Sequence, residues 1–200
     1  MQTNLSTRGN SAAGRPRSTK ARQAILAAAL RMVKQDGFSA LTIEGIAREA
    51  GVGKPTIYRW WPSKGAIVFE ALQQHAQQVL PMPPTGLLDE RLEEWLTMLF
   101  KTLNEDTGEI VRGLMAEAQR DPIFAAFFRT EFILVRRQPL LTILYEGLKR
   151  GELAPDTDIE VVADLIYGAM WYRLLAQHAP LDEKCAHDIV HTLLHTGMQR

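Results

Sequence analysis

The sequence predicts an all-α fold: a three-helix head joined by a fourth helix to a larger helical body, about nine helices in total. Three observations carry this. Apolar residues recur at helical spacing along most of the chain, and no run alternates as a half-buried strand does. Helix punctuation separates these runs, with Thr, Ser or Asp at starts, proline in first turns and glycine at ends. Charge is divided between the two parts. Residues 1–65 hold eleven Lys/Arg against three acids, a net +8, whereas residues 66–200 hold 12 basic and 20 acidic residues, a net −8. The chain is neutral overall, so the split is the informative quantity. The head has the footprint of a polyanion binder, and the acidic body is repelled by phosphate backbones.

Residues 1–17 are mostly small and polar and read as a disordered arm. It closes on Gly14-Arg-Pro-Arg17, and Arg15 and Arg17 suit the negative potential of a minor groove. Residues 18–80 form the head. Ser18 or Thr19 caps a first helix running to about Asp36, burying Ala21, Ala24, Ile25, Ala28, Met32 and Val33. Gly37 stops it, and Phe38 and Leu41 pack beneath the stretch 42–61, TIEGIAREAGVGKPTIYRWW. There Thr42 caps a short helix whose inner face is Ile43, Ile46, Ala47 and Ala50, leaving Glu44, Arg48 and Glu49 outside. Gly51 supplies a left-handed end, Val52 folds back, and Pro55 sits in the first turn of a second helix starting at about Lys54. Ile57 points inward; Lys54, Thr56, Tyr58 and Arg59 are left for a partner. Two helices about a glycine turn, the second polar and basic, describe a helix-turn-helix presenting a recognition helix to DNA. Ser63 caps the fourth helix, Lys64 to about Leu80, with Ile67, Val68, Ala71 and Leu72 inward. Its first amides, with Lys64, suit a phosphate.

Residues 81–200 form the body. Pro81-Met-Pro-Pro-Thr-Gly86 ends the fourth helix, and Leu88–Asn104 and Glu109–Arg120 are amphipathic helices. Asp121-Pro122 opens a long helix to Arg150, which Pro139 is expected to kink or split. Asp158 caps 159–177 and Asp182 caps 183–197. The former is apolar nearly all round, which predicts one face inward and one against a second copy.

The head closely resembles the TetR family of bacterial one-component transcriptional repressors. The resemblance rests on Gly37-Phe38, Leu41-Thr-Ile43, Ile46-Ala47, Ala50-Gly-Val-Gly53, Thr56-Ile-Tyr58, Trp61-Pro-Ser-Lys64 and Ala66. In the body, Gly151-Glu-Leu153, Ala163-Asp-Leu-Ile166, Trp171-Tyr-Arg-Leu-Leu175 and Pro180-Leu-Asp182 look like one C-terminal variety within it. The resemblance implies a homodimer through helices 159–177 and 183–197 and a palindromic or pseudo-palindromic double-stranded DNA operator. It also implies a small-molecule effector whose binding moves the fourth helix. By position it places Lys54, Pro55, Thr56 and Tyr58 at bases and nearby phosphates, and Thr42, Arg59 and Lys64 on the backbone. Arg59-Trp60-Trp61 departs from the family's usual His-Phe after the tyrosine, so base preference does not carry over.

Residues expected to line the effector pocket are Phe100, Met115, Phe128, Phe132, Tyr145, Tyr167, Met170 and Trp171, with Tyr145, Tyr167 or Arg173 orienting a largely apolar ligand. His187, His191 and His195 recur at i, i+4, i+8 with Cys185 nearby; adjacent pairs have the spacing to chelate zinc or nickel, but helical drift keeps all three from easily sharing one ion, and neither metal nor cofactor is predicted. No phosphate loop, nucleophile elbow or acid–base pair supports an enzyme. The remaining alternative is a helix-turn-helix protein without an effector. The lone Cys185 fits a reducing compartment, and no run approaches the roughly 20 apolar residues that span a bilayer. The expected location is the cytoplasm.

Overall fold

The computed structural model describes residues 15–76 and 83–194, and among these the chain forms ten α-helical segments, one π-helical segment and no strand. α1 (Arg15–Ala40) is broken at Gly37, whose φ of 77° suits a residue without Cβ. It begins earlier than expected. Ser18 and Thr19 lie inside the helix rather than at its cap, and Arg15 and Arg17 belong to its backbone rather than to a free arm. Pro16 is the local reason, because proline in a first turn is pre-set for helix. Residues 1–14 of the expected arm lie outside the described residues.

α2 (Ile43–Glu49) and α3 (Lys54–Tyr58) follow, and α4 (Lys64–Ala76) leads out of the head. The predicted end of α4 near Leu80 lies outside the described residues. The body comprises α5 (Leu88–Asn104), α6 (Asp106–Arg120), α7 (Pro122–Phe128), the π segment Arg129–Leu134, α8 (Val135–Lys149), α9 (Ile159–Ala176) and α10 (Glu183–Leu194). The caps read from sequence in the body are made. Asp121 Oδ1 accepts from the amides of Ile123 and Phe124, Asp158 from Glu160 and Val161, and Asp182 from Cys185. The long helix from Asp121 is interrupted by the π segment rather than at Pro139, which lies inside α8. Helix α6 starts at Asp106, three residues before the expected Glu109.

Head and body share one buried cluster, running from Ile25 in α1 to Leu194 in α10. Its middle is α4, where Ala66, Ile67, Val68, Phe69, Ala71 and Leu72 are all buried because α1 and α6 both pack on it. Two glycines permit the close contact. A Cβ on Gly113 of α6 would collide with Phe38, and one on Gly65 of α4 would lie 2.7 Å from the Phe124 ring. An ion pair, Lys34 to Asp106 at 3.1 Å, spans the same junction.

Candidate DNA interface and interior cavity

The recognition hairpin is held by local chemistry. Thr42 Oγ1 accepts from the Gly45 amide at 3.0 Å, and Gly51 takes a φ of 65°. The Val52 amide then donates back to the Ala47 carbonyl at 3.0 Å, closing α2 and folding Val52 onto the core. Ile46 and Ile57 are fully buried between the helices. This leaves Lys54, Pro55, Tyr58 and Arg59 exposed on α3 and its end, with Thr56 half-buried. Tyr58 shows 56% of its surface, unusual for an aromatic without a partner. Two charges are already engaged. Lys54 Nζ donates to Glu44 Oε1 at 2.8 Å; this hydrogen bond lowers the Glu44 pKa and raises that of Lys54. The Arg59 guanidinium lies 5.0 Å from the Trp60 ring centre.

Ser63 Oγ accepts from the Ala66 amide at 3.3 Å and caps α4. Lys64, expected to reach a phosphate, instead turns inward. Its ammonium donates to the carbonyls of Phe38 (3.1 Å) and Leu41 (3.0 Å) and lies 4.8 Å from the Phe38 ring centre. At the broken end of α1 the Phe38 carbonyl also accepts from the Leu41 amide at 3.3 Å, and Lys64 adds a second donor there and one to the Leu41 carbonyl. Lys64→Met is therefore expected to destabilise the fold by about 1–3 kcal/mol while leaving the salt slope of DNA binding unchanged. Thermal melts and affinity measured against salt concentration check this; an unchanged melt with a slope reduced by about 1 would restore the phosphate role.

Glu70, two turns further along α4, holds the end of the recognition element. Its Oε2 accepts from Trp61 Nε1 at 2.9 Å, and its Oε1 lies 2.8 Å from an Arg22 nitrogen of α1. That second contact is an ion pair without hydrogen-bond geometry, and the buried Oε1 makes no other bond.

On α4's other side lies a cavity of about 630 Å³, walled by α4, α5, α6, the π segment, α8 and α9. Leu72 and Gln73 of α4 face it, with Trp95, Leu99, Val111, Met170 and Trp171. Phe132, Tyr167, Met170 and Trp171 of the expected set line it. Phe100, Met115, Phe128 and Tyr145 do not. Phe100 is core filling, and Phe128 stacks behind Phe132 at 4.7 Å. Met115 is half-buried elsewhere on α6, its sulfur 3.7 Å from Gln119 Nε2. Tyr145 is on the outer face of α8 beneath the Lys149 ammonium, because Leu144 takes the inward position. Arg173 donates to the Pro180 carbonyl at 2.7 Å and borders a separate polar cleft. Tyr167 donates to the Arg136 carbonyl at 2.7 Å, and burial raises its hydroxyl pKa, keeping it neutral.

Two family models match the chain. "Bacterial regulatory proteins, tetR family" covers residues 25–71, and "Tetracyclin repressor-like, C-terminal domain" covers 82–193. The chain belongs to the TetR family. It is a DNA-binding transcriptional regulator and not an enzyme. It is 36% identical over 177 residues to YdeS, an uncharacterised HTH-type regulator of Bacillus subtilis (strain 168), with 88% of this chain and 89% of YdeS aligned. The crystal structure of the TetR-family regulator SCO0332 is similar at 31% identity and a TM-score of 0.74, covering 88% of this chain and 97% of that one. FadR from Bacillus subtilis, solved in complex with stearoyl-CoA, shares the fold at 18% identity and a TM-score of 0.69, covering 86% and 97%.

In this TetR-family body, sequence reasoning missed the cavity's polar residues: Gln73, Thr102, Thr107, Arg136, Arg137 and Asp164. Only the adjacent pair Arg136-Arg137, on a helix with apolar neighbours, offered a signal. Of the three histidines, His187 faces Glu93 at 3.1 Å and its ring lies 5.9 Å from that of His191; His195 lies outside the described residues. Cys185 is buried, which raises its thiol pKa and disfavours metal binding. Among the described residues no cluster of three potential ligands is placed to hold a metal ion, and no helix is long and apolar enough to cross a membrane.

Proposed function

We propose that this regulator is a homodimeric repressor acting in the cytoplasm, which leaves a palindromic or pseudo-palindromic operator when a largely apolar small molecule enters the body cavity. In this reading residues 18–80 bind DNA, and residues 81–200 bind effector and dimerise. The observation that carries it is α4's position. One face closes the cavity through Leu72 and Gln73, while Glu70 holds Trp61 at the end of the recognition element and Lys64 holds the end of α1. Phe69, between them, packs edge-on against Phe127 and the cavity-lining Phe132. A ligand that fits the cavity better when α4 is displaced lowers operator affinity by that same difference, typically about 1–3 kcal/mol. The ligand-bound FadR supports an effector chamber in this architecture. The reading without an effector expects a solid body core, and the cavity counts against it.

Dimerisation rests on α9. Its inward positions, Ala163, Ile166, Met170 and Leu174, are buried. Val161, Leu165, Gly168, Tyr172 and Leu175 form an exposed stripe at alternating steps of four and three, the spacing of a helix seam. α10 packs chiefly on α5, and its outward residues include His187, Asp188 and His191. We therefore assign the seam mainly to α9 rather than equally to both helices.

DNA selected from bacterial genomic fragments should show two protected half-sites about 34–36 Å apart, or a multiple of that spacing. Tyr58→Ala should weaken binding about 10–100-fold without lowering thermal stability. A single asymmetric footprint, or an undiminished Tyr58→Ala affinity, would contradict this reading.

A further inference from the structure

The cavity contains a charge without a counter-ion. Arg136 and Arg137 are consecutive at the start of α8, and both line the chamber. Their situations differ. Arg137 bonds Glu160 through two nitrogens at 2.8 and 3.0 Å and pairs with Asp164. The Arg136 side chain makes no hydrogen bond or ion pair with any described residue; its guanidinium lies 4.2 Å from the Phe132 ring centre. All 23 Asp and Glu residues of the chain fall within the described residues, so no carboxylate side chain of this chain neutralises it. Arg136 is half-buried, and this lowers its pKa, as expected for a cation partly withdrawn from water.

We propose that the cavity takes an amphipathic anion, an apolar body carrying one carboxylate or similar oxyanion, with the anionic group bound by the Arg136 guanidinium. A guanidinium offers parallel N–H donors that match such a group, and the pairing is strongest where water is excluded. The other walls, chiefly Trp95, Leu99, Val111, Met170 and Trp171, suit the apolar body. The volume of about 630 Å³ is that of a site for a small organic molecule. A cation would be repelled, and a neutral ligand would cover the half-buried guanidinium without pairing it. Arg136 also connects the anion to the output, because the Phe132 ring beneath it touches Phe69 of α4.

This inference rests on the cavity being an effector site, and the test separates the two claims. The probes are 8-anilinonaphthalene-1-sulfonate and N-phenyl-1-naphthylamine, which share an aromatic body and differ by the sulfonate. Fluorescence titration of the full chain should show the anion binding about tenfold or more tighter than the neutral dye. Arg136→Met should abolish that preference while retaining the neutral dye. It should not lower the melting temperature of the ligand-free protein, since it breaks no hydrogen bond or ion pair with a described residue. Equal affinities in the unaltered chain, a preference that survives Arg136→Met, or a fall of many degrees in its melting temperature would overturn the anion assignment. Failure of both dyes to bind would overturn the effector cavity itself, and the anion assignment with it.

Discussion

Replacing Leu165 with glutamate is expected to give a folded monomer that no longer occupies a two-half-site operator. Leu165 is 53% exposed in the single chain, so in isolation the change exchanges one solvated surface for another, within about 0.5 kcal/mol. In a dimer built on the α9 stripe, the same position lies mid-seam between Val161 and Gly168. Two carboxylates there, one per copy, would have to be desolvated without partners, a cost of several kcal/mol. Loss of the dimer then costs the avidity of two linked recognition helices, about 10²–10⁴ in affinity. Light scattering after size exclusion reads the mass, circular dichroism reads the fold, and fluorescence anisotropy with a full operator reads binding. A Leu165→Glu chain that stays dimeric would move the seam away from this face of α9. A change on the outward side of α10, such as His191→Glu, should leave the dimer intact.

Elements governed by nearest neighbours were legible in the sequence. Thr42, Ser63, Asp121, Asp158 and Asp182 each cap the helix expected of them, because a cap bonds only to amides two or three residues ahead. Gly37 and Gly51 have positive φ at a helix break and a helix end, as their positions foretold. Features decided by distant contacts were not legible. The π segment lies where Phe128 stacks on Phe132, with Phe69 edge-on to Phe132 and Phe124 tilted against Phe128, an arrangement with no local signature. Lys64 reads as a phosphate ligand from its helix start alone; its actual partners are 23 and 26 residues away. Arg136 and Arg137 are the same residue type one position apart, about 100° around a helix. Only the placement of α9 gives carboxylates to one and leaves the other facing an apolar chamber. Tyr145 shows the same limit, since its neighbour Leu144 takes the buried direction.

Phe69→Ala is expected to be the most destabilising substitution on α4, and to weaken head and body together. The ring is 2% exposed and meets Phe127 at 5.2 Å and Phe132 at 5.8 Å between ring centres, both edge-on. Removing a buried phenyl costs about 3–5 kcal/mol through lost transfer energy and the void left behind. In a domain of this size that lowers the melting temperature by on the order of 10 °C. The distribution of the loss carries the mechanistic content. A head folding independently would keep its amide protection when a contact with the body is removed. Here α4 contributes to both parts of one buried cluster, and its Glu70 and Lys64 hold Trp61 and the end of α1. Hydrogen exchange should therefore accelerate in α1 and α2 as well as in α7 and around Phe132. Protection lost only in the body would mean that α4 does not transmit to the head, and the route from cavity to operator would have to run elsewhere, through the α1–α6 contact at Phe38 and Gly113.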